Sequence, residues 1–218
     1  MGRIFKWRED KAEAWLQESR RLLAEGGILA LPTETFYALA ADPYRTGALQ
    51  RLFALKGRPE DKPVLLLVAD AKMARQVAAD IPEMAQRLMA RFWPGPLTLI
   101  LPAQGDLPDL VTASTGTVGV RQPRQPVVCS WLAALGSPVT GTSANRGGRQ
   151  PLILAAEVAR EFGNEVDLIL DAGPCPGGLP STVVDVTAAP PRLVRAGVIS
   201  KAEVASIIPD LRPRQQLP

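Results

Sequence analysis

Lys56-Gly57-Arg58 places two cations one residue apart where a helix-period stretch ends, and Lys62 adds a third before the apolar run Val64–Val68. Converged on one point, Lys56, Arg58 and Lys62 would hold an anion. Left apart, they balance the dipole of a helix C-terminus. Thr33 and Thr35 stand just past the apolar run Ile28–Leu31. A Thr-rich loop there is either a turn whose hydroxyls cap the next segment or a site for a small polar ligand, because ligands of α/β sheets bind beyond the carboxyl ends of strands. Arg121 closes the segment Thr117–Arg121. It is either a solvated edge charge or a bidentate partner for a carboxylate. Ser143-Ala144-Asn145, followed by Gly147-Gly148, offers hydroxyl, amide and exposed backbone N–H groups, which suit a phosphate or make a polar turn.

Whole classes of chemistry are missing. The chain has no histidine, which removes Ser-His-Asp and Cys-His nucleophilic catalysis and histidine metal sites. Cys129 and Cys175 form neither a metal spacing nor a redox pair. Cys129 reads as a buried packing residue and Cys175 as a loop residue. Neither G-x-x-x-x-G-K-[ST] nor G-x-G-x-x-G occurs. An enzyme built from this chain must work by positioning and fixed positive charge. With 25 Lys and Arg against 22 Asp and Glu, the net charge of +3 is too mild to argue for nucleic acid by itself. The 218 residues, 46% hydrophobic and 22% charged, suit one domain with a real core. No apolar run reaches the roughly 20 residues that span a bilayer, and no secretory leader is evident, so a cytoplasmic location is expected.

The elements that must position these groups follow from periodicity. Helices are expected over 11–25, 46–56, 71–79, 82–92, 126–135 and 154–162, and Ser200 to Glu203 carries the capping-box signature of a last one. Strands are expected over 28–31, 64–68, 97–101, 117–121, 138–140 and 166–170, with a late pair over 181–186 and 192–195. The interleaving is that of an α/β fold, and the helix-free late pair argues for a mixed sheet. Residues 209–218, rich in Pro and Gln, read as a loose tail.

Taken in order, PTETFYALAADP (32–43), LKGRPEDKPVLLLV (55–68), FWPGPLTLIL (92–101), TVGVRQP (117–123), GTSANRGG (141–148), STVVDVT (181–187) and LVRAGVIS (193–200) resemble the YrdC-like threonylcarbamoyl-AMP synthase family. The resemblance implies a single YrdC-like domain over 9–208, a twisted open mixed sheet with flanking helices and a large basic concave cleft. It is similar to the short form that lacks an extra C-terminal domain. It implies condensation of L-threonine, bicarbonate or CO₂, and ATP into threonylcarbamoyl-AMP and pyrophosphate. Mg²⁺ would accompany the ATP. The adenylate would serve the modification of tRNA, directly or through a separate threonylcarbamoyl transferase.

By the same resemblance, the K-x-R pair Lys56 and Arg58 is catalytic, neutralising carbamate and phosphate oxygens. Thr33, Thr35, Arg121 and Gly141 lie on the threonine side, with Arg121 on its carboxylate. Arg58, Lys62, Thr117, Ser143, Asn145, Ser181 and Arg195 lie on the nucleotide side. Three departures touch the pocket's fine shape: Ala38 where the family usually has Gly, Gln125 where His is common, and Leu67 where some relatives carry a polar residue. The competing reading is a non-catalytic RNA-binding module using the same cleft. The 5% aromatic content leans against it, since base stacking needs interleaved aromatics. If Lys56 serves the reaction alone, its removal is expected to leave stability nearly unchanged.

Overall fold

The computed structural model describes residues 2–57, 59 and 61–213. In chain order the elements are β1 (Ile4–Lys6), α1 (Ala12–Ala24), β2 (Leu29–Leu31), β3 (Ala38–Ala40), α2 (Thr46–Lys56), β4 (Leu66–Leu67), α3 (Ala71–Ala74), α4 (Glu83–Phe92) and β5 (Leu97–Pro102). Then come α5 (Asp109–Thr112), β6 (Thr117–Arg121), α6 (Pro126–Leu135), β7 (Val139–Thr140), β8 (Thr142–Ser143), α7 (Ala155–Phe162), β9 (Leu168–Asp171), β10 (Thr182–Asp185), β11 (Arg192–Arg195), α8 (Lys201–Ala205) and β12 (Arg212–Pro213). The expected mixed α/β class holds. The strands divide into two sheets, ordered β1-β9-β2-β3-β8 and β12-β11-β10-β5-β6-β4-β7. Each mixes parallel and antiparallel pairs, and the late pair β10–β11 is antiparallel.

Period-two alternation decides what each sheet does. In the five-stranded sheet both faces are buried. Leu29, Leu31, Ala38, Ala40, Leu168 and Leu170 point into the larger core, which α1 and α6 close with Trp15 and Trp131. Ala30, Leu39 and Ile169 point the other way, onto α2 and α7 through Leu52, Leu55, Val158 and Phe162. The seven-stranded sheet is different. Leu97, Leu99, Leu101, Val118, Val120 and Val184 join the larger core. The alternate residues Thr98, Ile100, Thr117, Gly119, Arg121 and Val183 line an open cavity instead. One face is therefore core and the other is cleft.

The sheets meet where the chain steps from β7 to β8 across Gly141. Its N–H donates to the Leu65 carbonyl at 2.8 Å. A Cβ on Gly141 would lie 2.5 Å from Leu67 Cγ and 2.9 Å from Leu65 Cδ1, so only glycine fits. Leu67 is wholly buried beneath it, a packing residue and not part of the cavity wall.

Several expectations shift. The strand read over 64–68 narrows to β4, because Val64 N–H bonds Val111 and Val68 N–H bonds Arg121 outside the regular ladder. The helix read over 71–79 is α-helical only to Ala74, where three-residue bonds such as Gln76 N–H to Met73 tighten the chain. β1 and β12 both lie outside the expected span of 9–208. β1 pairs with β9 and β12 with β11. Leu211 is buried and β12 pairs with β11, so the chain stays attached to the fold past residue 208. Residues 214–218 of the expected tail lie outside the described residues. Short strands without a full apolar alternation leave no periodic signal to read.

Replacing Gly141 with Ala should lower stability by about 1–3 kcal/mol, the usual cost of overpacking a filled core. Urea unfolding would read this as a lower midpoint at unchanged slope.

Candidate active site

The loop Thr33–Tyr37 turns the chain from β2 into β3. Thr33 Oγ1 donates to the Phe36 carbonyl at 2.7 Å and accepts from Thr35 N–H at 3.2 Å. A hydroxyl has one proton, so in the 3.1 Å contact between the two hydroxyls Thr35 is the donor. Thr35 then turns acceptor lone pairs outward. The same logic operates across the cleft. Thr115 Oγ1 donates to Thr112 at 2.7 Å, so Thr117 gives its proton to Thr115 at 2.9 Å and faces the cavity as an acceptor. The 173–178 loop buttresses the first turn from behind. Gly177 N–H donates to Thr35 at 2.8 Å, and the buried Tyr37 hydroxyl donates to Leu170 at 3.1 Å. Ala38, where glycine was the expectation, sits in extended β3 opposite Ser143, where an alanine is unstrained.

Arg121 ends β6 with only 4% of its surface exposed. Its guanidinium lies 3.5 Å from Thr35 Oγ1, at the outer limit of a hydrogen bond, and 3.8 Å from Glu34 Oε1. Arg121 Nε and Glu34 Oε1 are both buried without a hydrogen-bond partner. Burial pulls the Arg121 basicity down, while the Glu34 carboxylate opposes that pull. A buried cation with an incomplete set of acceptors is costly unless a ligand completes the set.

Lys56 is the last residue of α2 and is 5% exposed. Gly57 follows in the left-handed conformation that ends the helix, so the expected helix cap is real. The Lys56 ammonium turns inward. It donates to the carbonyls of Ser143 at 2.5 Å and Asn145 at 2.9 Å, and to Asn145 Oδ1 at 3.3 Å. Gly147 N–H returns to the Lys56 carbonyl at 2.8 Å. Ser143 Oγ donates to Asn145 Oδ1 at 2.6 Å, and Asn145 Nδ2 donates to Arg149 at 2.8 Å. Arg146 grips the same loop from outside through Leu55, Glu161 and Glu165. Lys56 and Asn145 thus build the turn that presents Ser143, and neither lies on the cavity wall.

At the β10–β11 side of the seven-stranded sheet Arg195 Nε donates to the Ser181 carbonyl at 3.0 Å and Nη2 to Ser181 Oγ at 2.9 Å. Ser181 Oγ also meets Thr98 Oγ1 at 2.9 Å. Burial of the guanidinium lowers the Arg195 basicity, and the positive charge of Arg121 adds to the effect. Gly197 lets the following segment close on this corner, since a Cβ there would fall 2.2 Å from the Pro180 carbonyl oxygen.

The result is a cavity of about 720 Å³ between the sheets. Of the expected site residues, Thr35, Lys62, Thr117, Arg121, Gly141, Ser143, Ser181 and Arg195 share its wall. Thr33, Lys56 and Asn145 stand behind it, and Arg58 lies outside the described residues. Among the described residues the lining carries Lys62, Arg121 and Arg195 together with Asp61. Glu34 and Thr98 escaped the sequence reading. Strand alternation with Ile100 could have found Thr98; nothing local marks Glu34 beyond its place between two threonines. Among the described residues no group of three His, Cys, Asp or Glu could hold a metal ion. No helix among them is long and apolar enough to cross a membrane.

The guanidinium groups of Arg121 and Arg195 stand on the cleft face of the seven-stranded sheet, with Thr35 and Ser143 from the five-stranded side sharing the same cavity. The family profile described as Telomere recombination, Sua5/YciO/YrdC, matches residues 21–197, and the chain belongs to that family. It is similar to the Threonylcarbamoyl-AMP synthase of Pyrococcus abyssi (strain GE5 / Orsay), 35% identical over 204 residues, covering 93% of this chain and 60% of that protein. It is 37% identical over 194 residues to the Threonylcarbamoyl-AMP synthase of Bacillus subtilis (strain 168), covering 88% of this chain and 56% of that protein. The crystal structure of P. abyssi Sua5 complexed with L-threonine matches with a TM-score of 0.90 at 34% identity, over 98% of this chain and 62% of that one. E. coli YciO matches with a TM-score of 0.81 at 27% identity, over 91% of this chain and 97% of that one. The chain therefore spans under two thirds of the two curated synthases.

Lys56→Met, which keeps the aliphatic stem, should destabilise the fold by about 2–3 kcal/mol by leaving buried carbonyls without a donor. This replaces the expectation of unchanged stability, and an unaltered urea midpoint would return Lys56 to a purely ligand-facing role. The cysteines give a pH test. Cys129 is half-buried, not fully buried as expected, and donates to Pro123 at 2.7 Å; Cys175 is buried. Burial raises both thiols to about 11. The unfolded chain loses these protons first, so stability should fall as pH rises from about 9 to 11. In the folded protein at pH 8 both thiols should react slowly with a disulfide reagent, and denaturant should abolish the difference.

Proposed function

We propose that this chain is an L-threonylcarbamoyladenylate synthase, which joins L-threonine, bicarbonate or CO₂, and ATP into threonylcarbamoyl-AMP and pyrophosphate. The observation that carries the reading is the buried Arg121 fork, short of acceptors, in a cavity that Ser143, Ser181 and Arg195 also line. The relatives named threonylcarbamoyl-AMP synthase and the threonine complex of P. abyssi Sua5 support it.

In this reading Arg121 takes the threonine carboxylate and Thr35 accepts a hydrogen bond from the amino acid. The amine adds to CO₂ and loses a proton, giving a carbamate. A carbamate oxygen then attacks the α-phosphorus of ATP, and the bond to the β-phosphate oxygen breaks with release of pyrophosphate. The nucleophile is already anionic and the leaving group needs charge stabilisation, so a histidine-free site suffices. Lys62 and Arg195 supply positive charge along the phosphates, and Arg58 is assigned with them. Ser181, whose hydroxyl accepts from Arg195, donates to a phosphate oxygen, while Ser143, whose proton goes to Asn145, and Thr117 offer acceptors on the nucleotide side. Gly141 keeps the floor low between the two ligands. Lys56, Asn145 and Thr33 hold these groups in place.

ATP enters as its Mg²⁺ complex. Among the described residues the wall offers one carboxylate, Asp61, a donor set that suits a metal carried mainly by the triphosphate. The adenylate is a reactive mixed anhydride, suited to onward transfer to tRNA, either on this chain or by a separate transferase in the cytoplasm.

Incubation with ATP, bicarbonate and L-threonine should release pyrophosphate only when threonine is present. Threonine-independent release, or none, would overturn the assignment. Arg121→Lys should raise the threonine KM by about ten- to a hundredfold, since an ammonium cannot reproduce the bidentate fork. The ATP KM should barely move.

A further inference from the structure

Glu34 has no part in the reaction described above, yet it occupies an unusual position. Its carboxylate forms an ion pair with Arg121 at 3.8 Å but makes no hydrogen bond to it. Its other oxygen accepts from the Arg124 backbone N–H at 2.9 Å, which ties the loop before β3 to the segment after β6. The Glu34 side chain is 12% exposed and does not line the cavity, whereas Arg121 does. Glu34 therefore stands behind the guanidinium and leaves its cavity-facing donors open. A carboxylate forked onto Arg121 at normal hydrogen-bond distance would occupy those donors and compete with a ligand.

We infer that Glu34 is a specificity-determining residue that sets the Arg121 end of the cleft for a zwitterion rather than for a simple carboxylate. The inference rests on the amino-acid reading of this site and deepens it. An α-amino acid carries its ammonium one carbon from its carboxylate. Docking the carboxylate on Arg121 brings that ammonium close to the same buried guanidinium, where repulsion is poorly screened. Glu34 supplies the compensating charge. Together Arg121 and Glu34 are neutral, and so is the zwitterion. A ligand with the carboxylate alone leaves the Glu34 charge uncompensated, so Glu34 disfavours it. Thr35 acts in the same sense, because its proton is committed to Thr33 and it faces the ligand as an acceptor. Glu34 acts through charge and through Arg121, without touching the reacting atoms.

The test uses Glu34→Gln, which keeps the shape and the acceptor for Arg124 N–H. Calorimetric titration compares L-threonine with 3-hydroxybutanoate, the same skeleton without the amine, and L-valine with 3-methylbutanoate as a second matched pair. The wild-type chain should prefer the amino acid in each pair that binds. In Glu34→Gln the preference should fall by about tenfold or more, through weaker amino-acid binding and tighter binding of the bare acid, the scale of one charge-assisted hydrogen bond. A purely structural role would weaken both members of a pair together. That result, or an unchanged ratio, would overturn the inference. Preference for valine over threonine in the wild type would sink the threonine assignment while leaving Glu34 its role. Binding of no α-amino acid would sink both.

Discussion

Arg121 is a cation carried by a strand end into a place that water scarcely reaches, and much of the cleft is arranged around that fact. Burying a guanidinium costs several kcal/mol unless acceptors meet its donors. Here they meet them incompletely: Thr35 stands at the edge of hydrogen-bond range, Glu34 gives charge without a bond, and Nε has no partner. The cation is tolerable because β6 is held on both sides, by β5 and β4, and cannot swing it outward. The unmet demand is what a carboxylate ligand would satisfy.

The rest of the site is built by the same economy of fixed donors. Lys56 and Arg146 are strong cations used on backbone carbonyls rather than exposed to ligand, and they hold the Ser143–Arg149 turn from inside and outside. Ser181 is fixed by Arg195 and Thr98. A site so preorganised needs little rearrangement as charge develops, which is how electrostatic stabilisation can stand in for an acid–base residue. Gly141 and Gly197 contribute by what they lack: a Cβ at either would force the cleft's floor or its far corner apart.

Much of this was legible from residue order. The helices at 46–56 and 126–135 and the strand at 117–121 match their expected bounds, the helices because clear boundary residues such as Gly57, Pro126 and Gly136 mark their ends. The capping box at Ser200 and Glu203 is present as read, with both reciprocal bonds formed. Within the 117–121 strand Thr117, Gly119 and Arg121 face the cleft and Val118 and Val120 the core, a division the structure adds to the strand as read. β1, β3, β8 and β12 went unread because strands of two or three residues carry too little pattern, and pairing across the chain creates them.

Residue types and spacing therefore established the fold class and the chemistry excluded by the absence of histidine, and the resemblance of the ordered motifs named the polar residues expected at the cleft. They could not assign those residues to the wall or to its support. Lys56 reads as either an anion ligand beside Arg58 or a charge at a helix end, yet its reach of four methylenes lets it turn onto the Ser143 and Asn145 carbonyls, and only the packing of α2 against that turn decides so. Nothing local marks Glu34, which becomes the counter-charge of a buried arginine because the end of β6 brings Arg121 beside it. A side chain's chemistry is local, but its burial, its partners and the direction of its proton depend on segments tens of residues away. Tertiary structure alone brings those together.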